Sequence, residues 1–418
     1  MPYYYSLLII MIMLISFTFV IVIMNNIGTG NGDSYSQDGK LRPPGSAEGP
    51  NCDDSAATTL SPIKNTEVEW EVALGSERFP IRGTLTESAS LRRMPRGVVL
   101  ILGGSGPIDR NWCLGEMPPN SPPCNGQLIG EHFARLGYAT LRFDKINSGP
   151  RLAEITPQLT ANPPSMQHYM REMEGLVRLI RERYAGSNMK NGKDRMPIFV
   201  LTNSEGGVRA VQFQLEYGRQ FDGMILTGMP GRPLIGVTEE QMLRSVNPFV
   251  SANPGLDAGQ VRAAILNATQ ALMDSDDVDL ESNGLIPLDV KQMLQSIIQD
   301  PVNRPYLREL CAYELETRLR ELASARMVPT LIVIGKKDIQ ISWEKDGGEL
   351  ERIFAGRGAS FAYPEEANHV MGKETGPVPA TFADAVQTYY SGRLDDGAMG
   401  VIADWLDAWF DESKMEEK

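Results

Sequence analysis

Two kinds of hydrophobic pattern run along the chain and predict two kinds of strand. Over residues 67–86 apolar and polar residues alternate around a Gly-Ser turn, which is typical of an antiparallel pair at the start of a sheet. Later runs are short and continuously apolar, as expected for strands buried on both faces of a parallel sheet. These runs lie at residues 98–102, 139–143, 198–201, 224–226 and 330–334.

Amphipathic segments between these runs predict helices that cover the sheet. One of them repeats apolar residues at helical spacing opposite Arg and Glu: Met170, Met173, Val177 and Ile180. A final helix with a strongly apolar face is expected over residues 398–410. The alternation of strand and helix predicts an α/β fold whose mostly parallel sheet is flanked by helices on both faces.

Residues 232–325 break this alternation, because helical patterns follow one another without a strand. The helical segments are 258–274, 287–299 and 305–323. We interpret the region as a helical cap insertion in a core formed by residues 63–231 and 326–418. Its place between two strands would put it over the carboxyl edge of the sheet, where ligands bind in open α/β folds. A peripheral helical decoration is the alternative.

The N-terminal part reads as a membrane segment followed by a linker. Residues 7–24 carry no charge and, at about 1.5 Å per residue, nearly cross a ~30 Å hydrocarbon layer. We expect an uncleaved anchor at residues 1–25, a flexible linker at 26–62, and the folded part outside the cytoplasm. Secretion after cleavage of a signal peptide is the alternative.

Composition excludes two classes of function. Lys and Arg total 40 against 53 Asp and Glu, so the chain lacks the basic character expected of a nucleic-acid partner. Its cysteines form no CxxC pair and no Cys/His cluster, which argues against a zinc site: Cys52, Cys113, Cys124 and Cys311. Cys113 and Cys124 flank a Pro-rich stretch and are either bridged, in an oxidising compartment, or free.

The sharpest chemical signal is the segment IFVLTNSEGGVRAVQFQ, where Ser204 lies in a tight turn between an apolar strand and a helix. This layout is typical of a nucleophile elbow, whose strained turn lifts the hydroxyl above the sheet. The usual motif is G-x-S-x-G, and here Thr202 replaces the first glycine while Gly206 keeps the second. An ordinary Ser/Gly-rich turn is the alternative interpretation.

A glycine-rich loop, GGSGPIDRN, follows the strand at residues 98–102 and is a candidate oxyanion loop. We expect the backbone N–H of Ser105 to be the first donor, with Gly104 as its neighbour. Glu205, directly after the candidate nucleophile, would supply the second N–H. A phosphate-binding loop is the alternative, but the spacing G-x-G-x-x-G and the Lys-Ser/Thr pair of a P-loop are missing.

An acid and a base follow in the order required for a catalytic triad. Asp338 lies in the turn that follows the apolar run at 330–334, and His369 lies in a loop after a further short strand. The order Ser, Asp, His is that of α/β hydrolases and differs from the trypsin-like and subtilisin-like orders. The two other histidines, His132 and His168, lie on predicted helices and are expected to be structural.

From about residue 65 to its end the chain resembles the α/β-hydrolase superfamily, specifically bacterial esterases with a G-S-G-P-x-D-R loop. The loop corresponds to residues 104–110, and similar patterns occur in FDKINSG, NSEGG, GKKDIQ and NHV. Thr202 and the pair Asn111-Trp112 depart from the family pattern and affect the expected shape of the acyl pocket. Asp109 and Arg110 are expected to fix the loop, with substrate contact as the alternative.

The resemblance implies an α/β-hydrolase fold and hydrolysis of small or medium carboxylic esters. Ser204 would be the nucleophile, His369 the base and Asp338 the acid, with an acyl-enzyme intermediate and no metal or organic cofactor. The expected partners are a small-molecule acyl ester and, through the N-terminal segment, a membrane. A serine peptidase or acyltransferase of the same fold is one alternative, and a non-catalytic binding protein with a hydrolase fold is another.

Overall fold

The computed structural model describes most of the chain beyond the N-terminal sixty residues. The described ranges are 61–74, 76–89, 94–113, 121–185, 195–275, 278–325, 328–389 and 391–415. The strands, helices and contacts of the protein are known within these ranges.

One sheet of eight strands forms the centre of the fold, in the order β1-β2-β4-β3-β5-β6-β7-β8. The strands are β1 (Ile63–Leu74), β2 (Glu77–Ser88), β3 (Val98–Leu102), β4 (Ala139–Phe143), β5 (Ile198–Asn203), β6 (Gly223–Thr227), β7 (Thr330–Val333) and β8 (Ala359–Ala362). β2 is antiparallel to both of its neighbours, and all other pairs are parallel. The predicted antiparallel pair and mostly parallel sheet are confirmed.

Helices outside the insertion cover both faces of this sheet. They are α1 (Asn125–Arg135), α2 (Leu152–Ala161), α3 (Met166–Arg183), α4 (Glu205–Tyr217), α11 (Gly348–Phe354), α12 (Phe382–Tyr389) and α13 (Asp396–Met415). Alternate residues of β3 belong to separate hydrophobic clusters: Leu100 packs in the cluster that contains Met170 of α3, and Ile101 in the one that contains Ile402 of α13. This two-sided burial explains why the central strands are continuously apolar.

The insertion between β6 and β7 contains helices and, in its described residues, no strand. The helices are α5 (Leu234–Leu243), α6 (Val246–Ala252), α7 (Ala258–Asp274), α8 (Leu288–Met293), α9 (Arg304–Cys311) and α10 (Leu315–Ala325). α7 and α8 contribute to a small hydrophobic cluster of their own, which includes Val261 and Val290. α9 and α10 instead pack into the main core through Leu310 and Leu319. The α/β-hydrolase fold with a helical insertion is therefore confirmed.

The segment at residues 305–323 forms two helices where the sequence pattern predicted one. The break lies between α9 and α10 at Tyr313, whose hydroxyl donates to Gln212 Oε1 of α4 at 2.9 Å. A side-chain contact with the core therefore overrides the helical pattern at this point.

The expectation of a transmembrane helix requires correction. In the part of the chain that the structure describes, no helix is long and apolar enough to cross a membrane. The longest one, α13, is amphipathic and carries Asp404 and Asp407 among its apolar residues. The predicted span at residues 7–24 lies outside the described residues. Membrane attachment is therefore not part of the function proposed for this protein.

A disulfide joins Cys113 to Cys124, with their Cα atoms 5.5 Å apart. Of the two alternatives left open by the sequence, the structure has the bridged one. The bridge connects the segment after the glycine-rich loop to the start of α1, while Cys311 on α9 is a free thiol.

Candidate active site

Ser204 lies in a strained turn between β5 and α4. Its backbone has φ 54° and ψ −124°, a left-handed conformation that is costly for a residue with a side chain. The Ser204 N–H donates to the carbonyl of Thr227, at the end of β6, at 2.9 Å. The neighbouring strand thus stabilises the strained turn, and the predicted elbow geometry is present.

Thr202 fits because it belongs to the strand and not to the turn. Its side chain is fully buried in β5, and its carbonyl accepts a hydrogen bond from Thr227 Oγ1 at 2.6 Å. Gly206, in contrast, lies where α4 meets the end of β3. A methyl group on Gly206 would lie 2.8 Å from the Gly103 carbonyl oxygen. The glycine kept in the motif is therefore the one that packing requires.

Asp338 and His369 form a buried pair at the carboxyl ends of β7 and β8. His369 Nδ1 lies 2.8 Å from Asp338 Oδ2. The other carboxylate oxygen of Asp338 accepts from the N–H groups of Gln340 at 2.7 Å and Ile341 at 2.9 Å. These bonds fix the carboxylate, which in turn places the proton on Nδ1 and leaves Nε2 as the basic nitrogen.

Asn203 connects the elbow to the histidine loop. Its side-chain Nδ2 donates to the backbone carbonyl of His369 at 2.8 Å. In the described residues no hydrogen bond joins the Ser204 hydroxyl to His369. Such bonds are often long in ligand-free enzymes and shorten when substrate binds. Asn203 is not among the predicted site residues, because its only signal in the sequence is its position in the motif.

Gly228, directly after β6, packs against the acid–base pair. A methyl group there would lie 3.1 Å from His369 Nδ1 and 3.3 Å from Asp338 Oδ2, and the backbone has φ +52°. Asp338 and His369 can therefore form their hydrogen bond because the neighbouring residue, Gly228, has no side chain.

Gly228→Ala is expected to reduce kcat for any reaction that uses the Asp338–His369 pair by about tenfold or more, because a displacement near 1 Å at a catalytic group costs up to about 100-fold. The unfavourable φ should also lower the free energy of unfolding by about 1–2 kcal/mol. Steady-state kinetics and urea unfolding measure the two effects. Gly236→Ala on α5 is the matched control, since a methyl group there meets no atom within 4 Å. Equal kcat values in the two variants would contradict the role of Gly228.

The candidate oxyanion donors lie beside Ser204. Glu205 is the first residue of α4, so its backbone N–H has no partner within the helix. Gly104 is so close that a methyl group on it would lie 3.0 Å from Ser204 Cβ. The Ser105 hydroxyl forms a hydrogen bond with the Glu205 carboxylate. The structure therefore brings Ser105, Gly104 and Glu205 together next to Ser204, and their role as an oxyanion hole stays a prediction.

The side chain of Glu205 belongs to a buried charged cluster that the sequence did not reveal. Its Oε1 lies 3.1 Å from Arg209 Nε and accepts from the hydroxyl of Tyr306, on α9, at 2.6 Å. Burial raises the pKa of Glu205, but the charges of Arg209 and Lys145 and the bonds from Tyr306 and Ser105 lower that pKa below its ordinary value. Glu205 is therefore an anion held in place by core and insertion.

Lys145 and Glu172 complete this cluster. Burial is the main cause that lowers the pKa of Lys145 to about 7, with the nearby Arg209 charge adding to it. Burial likewise raises the pKa of Glu172 to about 8. Glu172 Oε1 accepts from the backbone N–H of Ile146 at 2.7 Å. Groups with such shifted pKa values often lie at functional sites.

Asp109 and Arg110 hold the glycine-rich loop in place. Arg110 donates to Asp144 Oδ2 through Nε at 3.0 Å and Nη2 at 2.7 Å, and to Glu67 through Nη1 at 2.6 Å. Asp109 Oδ1 accepts from the backbone N–H of Cys113 at 2.9 Å. These contacts favour the predicted loop-fixing role over contact with substrate.

The other two histidines make contacts within helices, away from Ser204 in the sequence and typical of a structural role. His168 lies near the start of α3, where its Nδ1 accepts from the backbone N–H of Ser165 at 3.1 Å and completes a capping box. His132 lies on α1 with its ring at right angles to that of Phe133. Within the described ranges no group of three or more His, Cys, Asp or Glu side chains could hold a metal ion.

The fold is that of an α/β hydrolase, and Ser204, Asp338 and His369 each follow the carboxyl end of one of its strands. The family model described as serine aminopeptidase, S33, matches residues 126–375. The chain belongs to this family. A search of curated proteins gave no match.

Solved structures to which the chain is similar include esterases and a peptidase. The chain is similar to the esterase domain of a Rhodothermus marinus protein, with 16% identity, a TM-score of 0.40, and coverage of 79% of this chain and 96% of that one. It is also similar to a thermostable carboxyl esterase from Bacillus coagulans, with 15% identity, a TM-score of 0.43, and coverage of 72% of this chain and 89% of that one. A third similar structure is proline iminopeptidase of Mycobacterium smegmatis, with 12% identity, a TM-score of 0.43, and coverage of 73% of this chain and 92% of that one. With identities under 25% and TM-scores under 0.5, these likenesses support no conclusion about this chain.

Proposed function

We propose that the protein is a serine hydrolase that cleaves carboxylic esters with small or medium acyl groups. Ser204 is the nucleophile, His369 the general base and Asp338 the acid. The observation that carries this proposal is the buried Asp338–His369 pair, joined at 2.8 Å beside a serine with φ 54°. A strained serine and a fixed imidazole at one sheet edge are the parts that acyl transfer needs.

The reaction proceeds in two half-reactions. Ser204 Oγ attacks the ester carbonyl while His369 Nε2 takes its proton, and the imidazolium then gives that proton to the leaving alcohol. Asp338 stabilises the imidazolium through Nδ1. Water, activated by the same imidazole, attacks the acyl-enzyme, releases the acid and regenerates the serine.

The negative charge of each tetrahedral intermediate is stabilised by backbone N–H groups of Ser105 and Glu205, with Gly104 beside them. Such donors are effective because they are already oriented when the charge develops, and loss of one typically costs about 3–4 kcal/mol of barrier. The Glu205 N–H lies at the N-terminus of α4, where the helix dipole further stabilises a negative charge on the intermediate.

The surroundings of Glu205 favour an ester over a peptide with a free N-terminus. An aminopeptidase must bind the ammonium group of its substrate, and a carboxylate next to the nucleophile would suit that role. Glu205 is the adjacent carboxylate, but it is buried and engaged with Arg209 and Tyr306. Displacing these partners would leave a buried guanidinium unpaired, which is costly.

The insertion at residues 232–325 is proposed to cover the site and shape the acyl pocket. Two contacts near the nucleophile support this placement. Tyr306 of α9 donates to Glu205, and Asn147, after β4, donates through Nδ2 to Asn303 Oδ1 at 2.9 Å. The Cys113–Cys124 disulfide supports a location in an oxidising compartment outside the cytoplasm.

Hydrolysis of p-nitrophenyl acetate, butyrate and octanoate by the full chain tests this proposal, with aminoacyl p-nitroanilides measured in parallel. The expected result is turnover of one or more esters, with kcat/KM at least about 100-fold above that for any anilide, since the carboxylate next to the nucleophile, Glu205, is already bound to Arg209 and Tyr306. Faster cleavage of the anilides would contradict the proposed ester preference and show that the protein is a peptidase. Absence of both activities would favour a non-catalytic protein.

A further inference from the structure

Two buried cations hold the glycine-rich loop by its carbonyl groups. Lys145, which follows β4, donates through Nζ to the carbonyl of Gly104 at 2.6 Å and to that of Gly106. Arg209, on α4, donates through Nη2 to the carbonyl of Gly103 at 2.5 Å and to that of Gly104 at 3.4 Å. Consecutive carbonyls of the loop therefore point toward the charged cluster.

The direction of these carbonyls fixes the direction of the N–H groups. In a planar trans peptide the C=O of one residue and the N–H of the next point in opposite directions. With the Gly103 carbonyl held by Arg209, the N–H of Gly104 points away from the cluster. With the Gly104 carbonyl held by Lys145, the N–H of Ser105 does the same. The Ser105 N–H is one of the two donors assigned above to the oxyanion hole, and the Gly104 N–H lies next to it in the chain.

We propose that Lys145, assisted by Arg209, is a positioning residue for the oxyanion hole. By holding the loop carbonyls on one side, it directs the N–H groups of Ser105 and Gly104 toward the carbonyl oxygen of a substrate bound at Ser204. This inference rests on the proposed serine hydrolase function. Lys145 itself touches neither substrate nor the reacting atoms.

The charges around Lys145 suit this role. Glu205 and Arg209 face it from α4 and Glu172 from α3. The two carboxylates favour the ammonium form, while burial and Arg209 disfavour it. A neutral amine still has two hydrogens, enough for both loop carbonyls. The positioning therefore persists when Lys145 loses its proton.

The loop needs a hydrogen-bond donor at this position because the Gly104 carbonyl, which Lys145 holds, is buried away from water. A buried carbonyl that lost its partner would cost about 1–3 kcal/mol, so the loop would move to find another donor. Such a movement would turn the N–H groups away from the oxyanion. The effect on catalysis should thus exceed any effect on substrate binding.

Lys145→Met, which gives an unbranched apolar side chain one atom shorter and removes the donors, tests the proposal in the full chain. The expected result is a fall in kcat of about 30-fold or more with KM within about threefold of wild type, because oxyanion-hole interactions act in the transition state. Affinity for an alkyl trifluoromethyl ketone, which forms a tetrahedral adduct with the nucleophile, should fall by a similar factor.

Arg181→Met is the matched control, because Arg181 also donates to backbone carbonyls, those of Met196 and Gln220, outside the cluster. It is expected to lower the unfolding midpoint while leaving kcat and ketone affinity unchanged. A folded Lys145→Met protein with kcat and ketone affinity within threefold of wild type would overturn the proposal. So would a loss of ketone affinity of the same size in Arg181→Met.

Lys145→Gln serves if the methionine variant does not fold. Its amide is too short to reach both loop carbonyls, so kcat and ketone affinity should still fall together. Unchanged values in the folded glutamine variant would overturn the proposal equally. Failure of the underlying function is distinguishable, because the wild-type chain would then neither turn over esters nor bind the ketone.

Discussion

Ser204→Ala is expected to lower kcat/KM for p-nitrophenyl esters by about 10⁴-fold or more, because no other group can form the acyl-enzyme. The substitution removes one oxygen atom and leaves the strained turn intact, since the Ser204 N–H still donates to the Thr227 carbonyl. Steady-state hydrolysis by the full chain measures the effect, and circular dichroism checks that the variant is folded.

Ser324→Ala is the control for this substitution. Ser324 lies on α10, where its hydroxyl donates to the carbonyl of Glu321 on the same helix. Its loss should leave kcat/KM within about twofold of wild type, as is usual for surface substitutions. Substantial ester turnover by folded Ser204→Ala would assign the chemistry to another nucleophile.

Asp338→Asn is expected to lower kcat by about 10³- to 10⁴-fold with little change in KM. Asp338 Oδ2 accepts from His369 Nδ1, while its other oxygen accepts from the N–H groups of Gln340 and Ile341. The amide oxygen of asparagine would keep the bonds to the two N–H groups. Its NH₂ group would then face the imidazole and favour the tautomer with the proton on Nε2, where the base must be free.

Asp407→Asn is the matched control for the acid. Asp407 pairs with Arg96 at 2.6 Å on the surface, where both side chains are exposed. Exposed pairs contribute only about 0–1 kcal/mol, so activity and stability should change little. A small loss of kcat in Asp338→Asn, comparable with that in Asp407→Asn, would show that Asp338 does not orient the base.

The strands that carry the candidate catalytic residues could be predicted from the sequence, because each strand is marked by a short local pattern. Short apolar runs mark β3 to β7, and each candidate catalytic residue directly follows a strand or a turn that the pattern predicts. The carboxyl ends of parallel strands lie at one edge of a sheet. The position of Ser204, Asp338 and His369 after such strands therefore predicts that they lie at the same edge.

The buried cluster behind the oxyanion loop was not predictable, because its contacts join distant parts of the chain. Lys145 and Arg209 contact glycines that precede them by 41 and 106 residues. In the sequence they are charged residues near a strand and on a helix, where a solvent-exposed side chain is the usual expectation. Tyr306 lies 101 residues from Glu205, and nothing in its helix indicates the carboxylate partner.

Labelling of the full chain with a fluorophosphonate, followed by mass analysis of the peptides, tests the central claim most directly. The reagent reacts with a serine only when an adjacent base activates it and an oxyanion hole accepts the charge. The expected result is one adduct on Ser204, lost in Ser204→Ala and strongly reduced in Asp338→Asn. An adduct on another residue, or no adduct in a folded protein that hydrolyses esters, would contradict the proposed triad.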